Sequence, residues 1–259
     1  MRLAALYCVW GDCGDLLSHS LNNISGSVDG IVIAYSETSN FGNHIVDDYD
    51  FYKGATTLTL SKVKEYKFEP NGHNAHQSEC NKRNFALDKA RQLGFTHFVM
   101  LDFDEFYERS EFEKEWKRIE QNDISGTVCR TKVYFKKPTL TVGFDHTLVP
   151  FIHKITPSLQ FQLNSKTYPF AYDSAGNAHI DPTRRLNISS GVEWSDITMH
   201  HYSWLRSDYN LKIENSAARN NLKRSSIYSD LEKAAPGVYN EFYRAELQEC
   251  DNIFNLPEL

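Results

Sequence analysis

Long apolar runs are missing from this chain: nowhere in its 259 residues does a hydrophobic stretch approach the roughly 20 positions that a bilayer-crossing helix requires. The apolar opening from Leu3 to Trp10 is short, carries no basic leader or small-residue cleavage site, and runs into Gly11-Asp12. It reads as a strand rather than an export signal, and no integral membrane association is expected. Cysteine is sparse and scattered. Cys8, Cys13, Cys80, Cys129 and Cys250 have neither the paired spacing of a zinc ribbon nor the density of a disulfide scaffold, so reduced thiols in a cytoplasmic compartment are expected. Positive charge is not in excess either. Against 34 Asp and Glu stand 28 Lys and Arg, a net charge of -6, so no overall field draws the protein to nucleic acid or an anionic surface. Internal repeats and low-complexity segments are absent as well.

What is present is the mixture of one large globular domain, 41% hydrophobic and 24% charged. The first half alternates short apolar runs with polar helical stretches, the pattern of a mostly parallel sheet with helices on its faces. Leu3 to Val9 is a first strand, Asp15 to Ile24 a helix, and Gly30 to Ala34 a second strand. Thr56 to Leu60 or Val63 to Phe68 supplies another. Ala75 to Leu93 repeats its apolar positions at three- and four-residue steps and is stopped by Gly94, which predicts a helix. His97 to Leu101 is a buried strand, Glu111 to Gln121 a surface helix, and Gly126 to Phe135 a strand that Pro138 terminates. Thr141 to Ile197, rich in proline and aromatics, predicts small antiparallel strands and loops. Ser207 to Asn221 and about 227 to 250 are helical in composition, broken at Pro236-Gly237.

The strand at His97 to Leu101 ends in Asp102-Phe103-Asp104-Glu105. In an extended segment alternate side chains share a face, so Asp102 and Asp104 converge while Phe103 packs inward. At the carboxyl end of a parallel strand they stand where open α/β sheets bind ligands. Two oxygen donors there suit Mn²⁺ or Mg²⁺, which bridge phosphates. A D-x-D alone is also an ordinary solvated strand end. Lys82 and Arg83, early in a helix that follows a loop, are candidates to face a phosphate, Arg83 the better of the two; Trp204 and Arg206 are candidates to close over a ligand. His73, His76 and Cys80 have zinc-like spacing but no fourth ligand. Asp181-Pro182-Thr183-Arg184-Arg185, preceded by His179, is a basic loop able to touch phosphate, though a solvated loop is the simpler reading.

Two blocks carry a family resemblance. Glu79-Cys80-Asn81-Lys82-Arg83-Asn84-Phe85-Ala86-Leu87, its helix, and the strand ending Leu101-Asp102-Phe103-Asp104-Glu105-Phe106 resemble the helix and D-x-D strand of GT-A glycosyltransferases, family-2-like members above all. Met199-His200-His201-Tyr202-Ser203-Trp204-Leu205-Arg206, with Lys212 and Asn215, resembles the closing segment of such enzymes, including tailed-phage-encoded ones. The resemblance implies a GT-A (Rossmann-like) fold, a mixed, mostly parallel central sheet flanked by helices. It implies a domain over 1–206, with a nucleotide-sugar half at 1–108 and an acceptor half at 109–206, followed by a helical extension at 207–259. It further implies that the nucleoside is held by Trp10-Gly11-Asp12 and by Ser36-Glu37-Thr38, where Glu37 takes a place more often filled by Asp. A histidine, His200 or His201, completes the metal shell; strand alternation allows only one of them, and His200 is preferred because Met199 and His201 then share the other face.

These expectations describe a metal-dependent transferase moving a sugar from a nucleotide-sugar, with uridine as the base by analogy, to an acceptor hydroxyl. An inverting transfer needs a base, and Glu193, Asp145, Asp181 and Asp196 lie in the acceptor half; Glu193 is preferred. The acceptor is a glycan, a small molecule, or a hydroxymethylcytosine in phage DNA, which would place the protein in the host cytoplasm. For DNA, Lys132, Lys136, Lys137, Lys154 and Arg184-Arg185 would have to form one basic face. A sugar-phosphate nucleotidyltransferase is the other enzyme class, but Cys8-Val9-Trp10-Gly11-Asp12-Cys13-Gly14 is a poor glycine-rich phosphate loop. A phosphatase lacks its Thr after the second Asp, and a non-enzymatic carbohydrate-binding module accounts for the 13% aromatic content but not for the carboxylates.

Overall fold

Leu3–Val9 (β1), Gly30–Tyr35 (β2) and His97–Leu101 (β4) are apolar, almost wholly buried segments, as expected of strands covered on both faces. In the computed structural model, which describes residues 1–11, 13–43, 55–70, 74–168, 180–215 and 224–259, they are parallel neighbours. Val63–Lys67 (β3) continues the parallel set beyond β2. Between β2 and β3, Thr57–Lys62 (α2) is a short helix rather than the alternative strand, because the Thr56 side chain caps it through the Thr59 amide.

The alternation of β1 divides the core. Leu3, Ala5, Tyr7 and Val9 pack with Leu17, Leu21 and Ile24 of Leu17–Ser25 (α1) and with Phe112 and Ile119 of Arg109–Asn122 (α4). Ala4 and Leu6 pack on the other face against Ala86, Leu87 and Ala90 of Ala75–Gln92 (α3). The Asn74 side chain caps α3 through the amides of His76 and Gln77, and Gly94, at φ 74°, lets the chain turn directly into β4.

The sheet then becomes mixed. Its order is β3-β2-β1-β4-β7-β6-β8-β5, where Glu105–Phe106 is β5, Gly126–Tyr134 is β6, Leu140–Lys154 is β7 and Val192–His201 is β8. β7 runs antiparallel to both β4 and β6, β8 is parallel to β6, and β5 is antiparallel to β8. This is the expected α/β class with helices on both sheet faces. Two local expectations fail. The stretch from Thr141 opens with one 15-residue strand, Leu140–Lys154, and only beyond it come the expected loops, with an antiparallel bridge between Phe161 and Leu186; the strand absorbs Pro150 opposite Val128, beside a register shift.

The tail is also less helical than its composition suggests. Tyr209–Asn215 (α5) and Arg224–Lys233 (α6) are helices, but Tyr239–Asn240 (β9) and Ala245–Glu246 (β10) form a hairpin, and Gln248–Glu249 (β11) pairs with β7. Ile213, Ile227, Leu231 and Leu247 share a core with Phe135, Leu140 and Trp204, so residues of the 207–259 extension complete the sheet rather than stand apart from it. Beyond β11, Phe254 packs on Phe106, His200 and Tyr202. Among the described residues no helix is long and apolar enough to cross a membrane.

Candidate active site

In the order β3-β2-β1-β4 the chain winds outward from β1 to β3 and then returns to the other side of β1. The carboxyl ends of β1 and β4 therefore flank a switch point, the crevice where α/β sheets hold ligands. Asp102 and Asp104 leave β4 there. Phe103 is buried in the core beneath them, but residues 102–104 leave β4 as a turn rather than the extended segment expected, and the two carboxylates meet different cations instead of converging on one point. The backbone N–H of Asp102 donates to Glu105 Oε2 at 2.9 Å, which closes the segment into a tight turn before β5.

Each carboxylate meets a cation. Asp102 receives Arg83 at 3.3 Å and Arg184 at 2.5 Å. Arg184 also forks onto Glu105, at 3.1 Å through Nη1 and in a closer contact through Nη2. Arg83 is held in turn by Glu79 at 2.6 Å, one helical turn back on α3. Asp104 receives Arg206 at 2.9 Å, His201 at 3.6 Å and Lys212 at 3.9 Å. Burial pushes Asp102 upward, but Arg184 and Arg83 outweigh it and hold the carboxyl at about 2. Burial acts the same way on Asp104, where His201, Lys212 and Arg206 hold it far below the usual carboxylate range. Glu105 and Glu79 are raised, burial prevailing over the same arginines. Asp102 keeps 31% of its side chain open and His201 28%, against 5% for Asp104, so Asp102 and His201 are what a ligand entering the crevice meets.

Strand register decides which histidine joins the site, and it corrects the preference for His200. In the β5–β8 pair Glu105 lies opposite His201 and Phe106 opposite His200. His200 is thereby turned into the aromatic layer, where its Nδ1 bonds the Tyr134 hydroxyl at 2.8 Å and Phe254 meets its ring edge-on. Burial lowers it to about 4. His201 Nε2 faces Asp104 instead.

The remaining candidates separate by position. Trp204 is buried, its Nε1 donating to Tyr243 at 3.0 Å, and the ammonium of Lys212, which also faces Asp104, lies 5.2 Å from its indole centroid. Arg206 is stacked on Phe103 and tied to Asp104. Lys82 is buried and clamps the ends of two strands, donating to Val9 O at 3.0 Å and Ser36 Oγ at 2.6 Å. Trp10 follows Val9 at the crevice, and Glu37 stands in the loop after β2, paired with Lys67 at 2.9 Å. Asp12, His73 and His179 lie outside the described residues. Glu193 is not brought to the site: it pairs with Arg118 of α4 at 3.0 Å, at the far end of β8 from His201. Asp145 follows Phe144 of β7, which aligns through Lys132 of β6 with His200, so it stands toward the His201 end of β8. Asp196 accepts from Trp194, and Asp181 from Thr183.

Of the six basic residues a DNA face would use, four are engaged within the chain. Arg184 is buried in the site, Arg185 is spent on the carbonyls of Ile180 and Ser165, Lys136 on that of Leu231, and Lys154 on Asp123. Arg184 is the functional candidate that the sequence reading undervalued. The available signal was its place directly after an Asx-type Asp181-Pro182-Thr183 turn, which Thr183 joins to Glu79 at 3.3 Å.

Among the described residues no group of three or more His, Cys, Asp or Glu converges on a metal-binding point. Asp104 Oδ1 and His201 Nε2 nevertheless face one another as an oxygen and a nitrogen donor. An ion there would share Asp104 with Arg206 and Lys212 and would need the phosphates of a ligand to complete its shell.

No protein-family model and no curated protein matches the chain. Among solved structures it is similar to S. aureus TarS, at 12% identity and a TM-score of 0.45 over 90% of this chain. It spans 43% of the length of that TarS chain. A TarS fragment, residues 1–349, matches at 13% identity and TM-score 0.45, covering 90% of this chain and 71% of the fragment. The same fragment in complex with UDP-GlcNAc matches over 51% of this chain and 34% of that one, at 14% identity and TM-score 0.33.

Proposed function

We propose that the protein is a glycosyltransferase that takes a sugar from a nucleotide-sugar, with UDP as the carrier, to the hydroxyl of a glycan or small-molecule acceptor. The observation that carries this reading is the placement of Asp102 and Asp104 at the switch point beyond β4, each ringed by basic side chains from α3, the 180–187 loop and the segment after β8. A diphosphate is recognised by charge-assisted donors, and Lys212 stands beside Asp104 to give them. Asp102, the more open carboxylate, accepts hydrogen bonds from ribose hydroxyls. Glu37 and Trp10, in the loops after β2 and β1, flank the nucleoside.

Asp104 and His201 would hold a divalent metal, Mn²⁺ or Mg²⁺, which when bound offsets the charge that grows on the departing diphosphate. Lys212 adds to that offset from its own side of Asp104. For an inverting transfer Asp145 is the base favoured over Glu193, because strand register sets Asp145 toward the His201 end of β8 while Glu193 pairs with Arg118 at the other end.

The test is calorimetric titration of UDP and then UDP-sugars, with Mn²⁺ or with chelator, on the wild type and on Asp102→Ala and Asp104→Ala. Binding that needs both the metal and the carboxylates supports the reading and ranks the donor sugars. A folded wild type that binds no uridine nucleotide overturns it.

A further inference from the structure

Trp194 and Phe144 are large apolar side chains left in the open, at 39% and 56% exposure. They belong to β8 and β7, the two neighbours of β6, and between them β6 sets Arg130. The Arg130 guanidinium lies over both rings, 5.3 Å from the indole centroid and 5.8 Å from that of Phe144. Arg130 is itself exposed and, among the described residues, enters no ion pair. Asp196, two positions from Trp194, spends an oxygen on the indole Nε1 at 3.0 Å, and Arg118 holds the Trp194 carbonyl at 3.2 Å. The indole is therefore fixed through both its ring and its backbone while remaining open to solvent.

A lone surface contact of cation and ring contributes only about 0.5–1 kcal/mol, and it requires neither a second ring nor a hydrogen-bonded indole. The backbone around Arg130 is shaped as well. The ladder to β7 shifts register between Arg130 and Lys132, and the ladder to β8 shifts between Val128 and Arg130. Such irregularities re-aim a side chain. Position links the patch to the active site: Arg130 lies opposite Thr198, three residues before His201, about 10 Å along β8. On its other side it lies opposite Leu148, which bridges to Ile180, where the loop that carries Arg184 to Asp102 begins.

The chemistry of the patch selects its occupant. One face of a pyranose ring presents C–H groups, which pack on the electron-rich face of an aromatic ring. A guanidinium set between two rings keeps its N–H edge for a planar acceptor, and a carboxylate matches that edge with two parallel hydrogen bonds. A polynucleotide also stacks on rings, but it needs a run of cations for its successive phosphates. Here one cation stands beside Glu193 and Asp196, on a chain of net charge -6.

We propose that Phe144, Arg130 and Trp194 form a binding platform for an acidic oligosaccharide, whose sugar rings stack on the two aromatic side chains and whose uronate-type carboxylate is taken by Arg130. The platform holds the acceptor glycan while its far end reaches the donor. The sugar's part as acceptor rests on the glycosyltransferase reading; its binding does not.

The experiment titrates tetragalacturonate, and maltotetraose as its neutral counterpart, into the intact ¹⁵N-labelled protein. Binding is followed at the indole N–H resonances of its four tryptophans, with Trp194 assigned through Trp194→Phe. Tetragalacturonate should move the Trp194 signal, leave that of buried Trp204 in place, and bind at least tenfold more tightly than maltotetraose. Arg130→Gln should abolish that preference, and Trp194→Ala should weaken tetragalacturonate at least tenfold, while both variants bind UDP within twofold of the wild type. An unmoved Trp194 signal, equal binding of the two sugars, or an undiminished preference in Arg130→Gln overturns the platform. So does oligothymidylate that binds at Trp194 more tightly than tetragalacturonate, which would make the patch a nucleic-acid contact. A wild type that binds tetragalacturonate at Trp194 but no UDP keeps the platform and removes its acceptor role; UDP binding without tetragalacturonate binding does the reverse.

Discussion

His201 Nε2 lies 3.6 Å from Asp104 Oδ1, while its neighbour His200 spends its Nδ1 on the hydroxyl of Tyr134. Replacing each should separate site from scaffold. His201→Ala is expected to lower Mn²⁺-dependent UDP affinity at least tenfold with little change in melting temperature. His200→Ala should leave UDP affinity within about twofold but cost roughly 1–3 kcal/mol of stability, from the lost ring packing and the unpartnered tyrosine. Calorimetry and thermal denaturation on the two variants check this.

Asp104 holds Arg206, Lys212 and His201 together, so its removal should be felt twice. Asp104→Ala withdraws the carboxylate partner of buried Arg206 and is expected to destabilise by about 3–5 kcal/mol. Asp104→Asn, which still accepts hydrogen bonds, should lose less stability yet the same metal-dependent binding. Denaturant unfolding of the pair measures the difference.

Asp145 and Glu193 make opposite predictions. Glu193→Ala breaks an exposed pair with Arg118 and should change stability by less than about 1 kcal/mol and transfer not at all. Asp145→Asn should lower the transfer rate on the order of 100-fold while donor affinity stays within twofold. Equal rates for Asp145→Asn and wild type would remove Asp145 as the base.

Lys82 joins the ends of β1 and β2 from inside. Lys82→Met keeps the stem but withdraws the bonds to Val9 O and Ser36 Oγ, so roughly 1–3 kcal/mol of stability and a weaker grip on the nucleoside are expected. The nucleoside effect should appear with uridine as well as with UDP.

Acid should weaken the fold before it affects Asp102. Burial lowers His153 to about 3 and His97 to about 4. The unfolded chain, with histidines near pKa ~6.5, takes up protons first, so this stability is complete above that pH and is lost as pH falls toward the folded values. Between pH 7 and pH 5 the buried His153 alone should account for a loss of about 2 kcal/mol, read as a shift of the urea midpoint. His153→Phe should flatten that slope.

Much of this was legible in the residues because burial on both faces leaves an unmistakable pattern: Leu3–Val9, Ala75–Gln92 and His97–Leu101 follow directly from their apolar spacing. β7 was hidden because Pro150 argues against a central strand, and only the register shift opposite Val128 makes it tolerable. Residues 239–249 resemble helix in composition because their strand character depends on β7 being there to pair with. The choice between His200 and His201 is a matter of register with Glu105–Phe106, a long-range pairing that alternation within one strand does not contain. Arg184 looks like a surface charge until the 180–187 loop folds over β4.

Phe254 packs beneath the β5–β8 pair that turns His201 toward Asp104. Synthesis runs from the amino terminus, so a growing chain possesses both aspartates early, while the part that sets the angle of the histidine arrives some 150 residues afterwards. The packing beneath that pair is thus missing until residue 254 has been made, and a chain cut short before Phe254 keeps its acidic motif without the aromatic support under the register that aims the histidine.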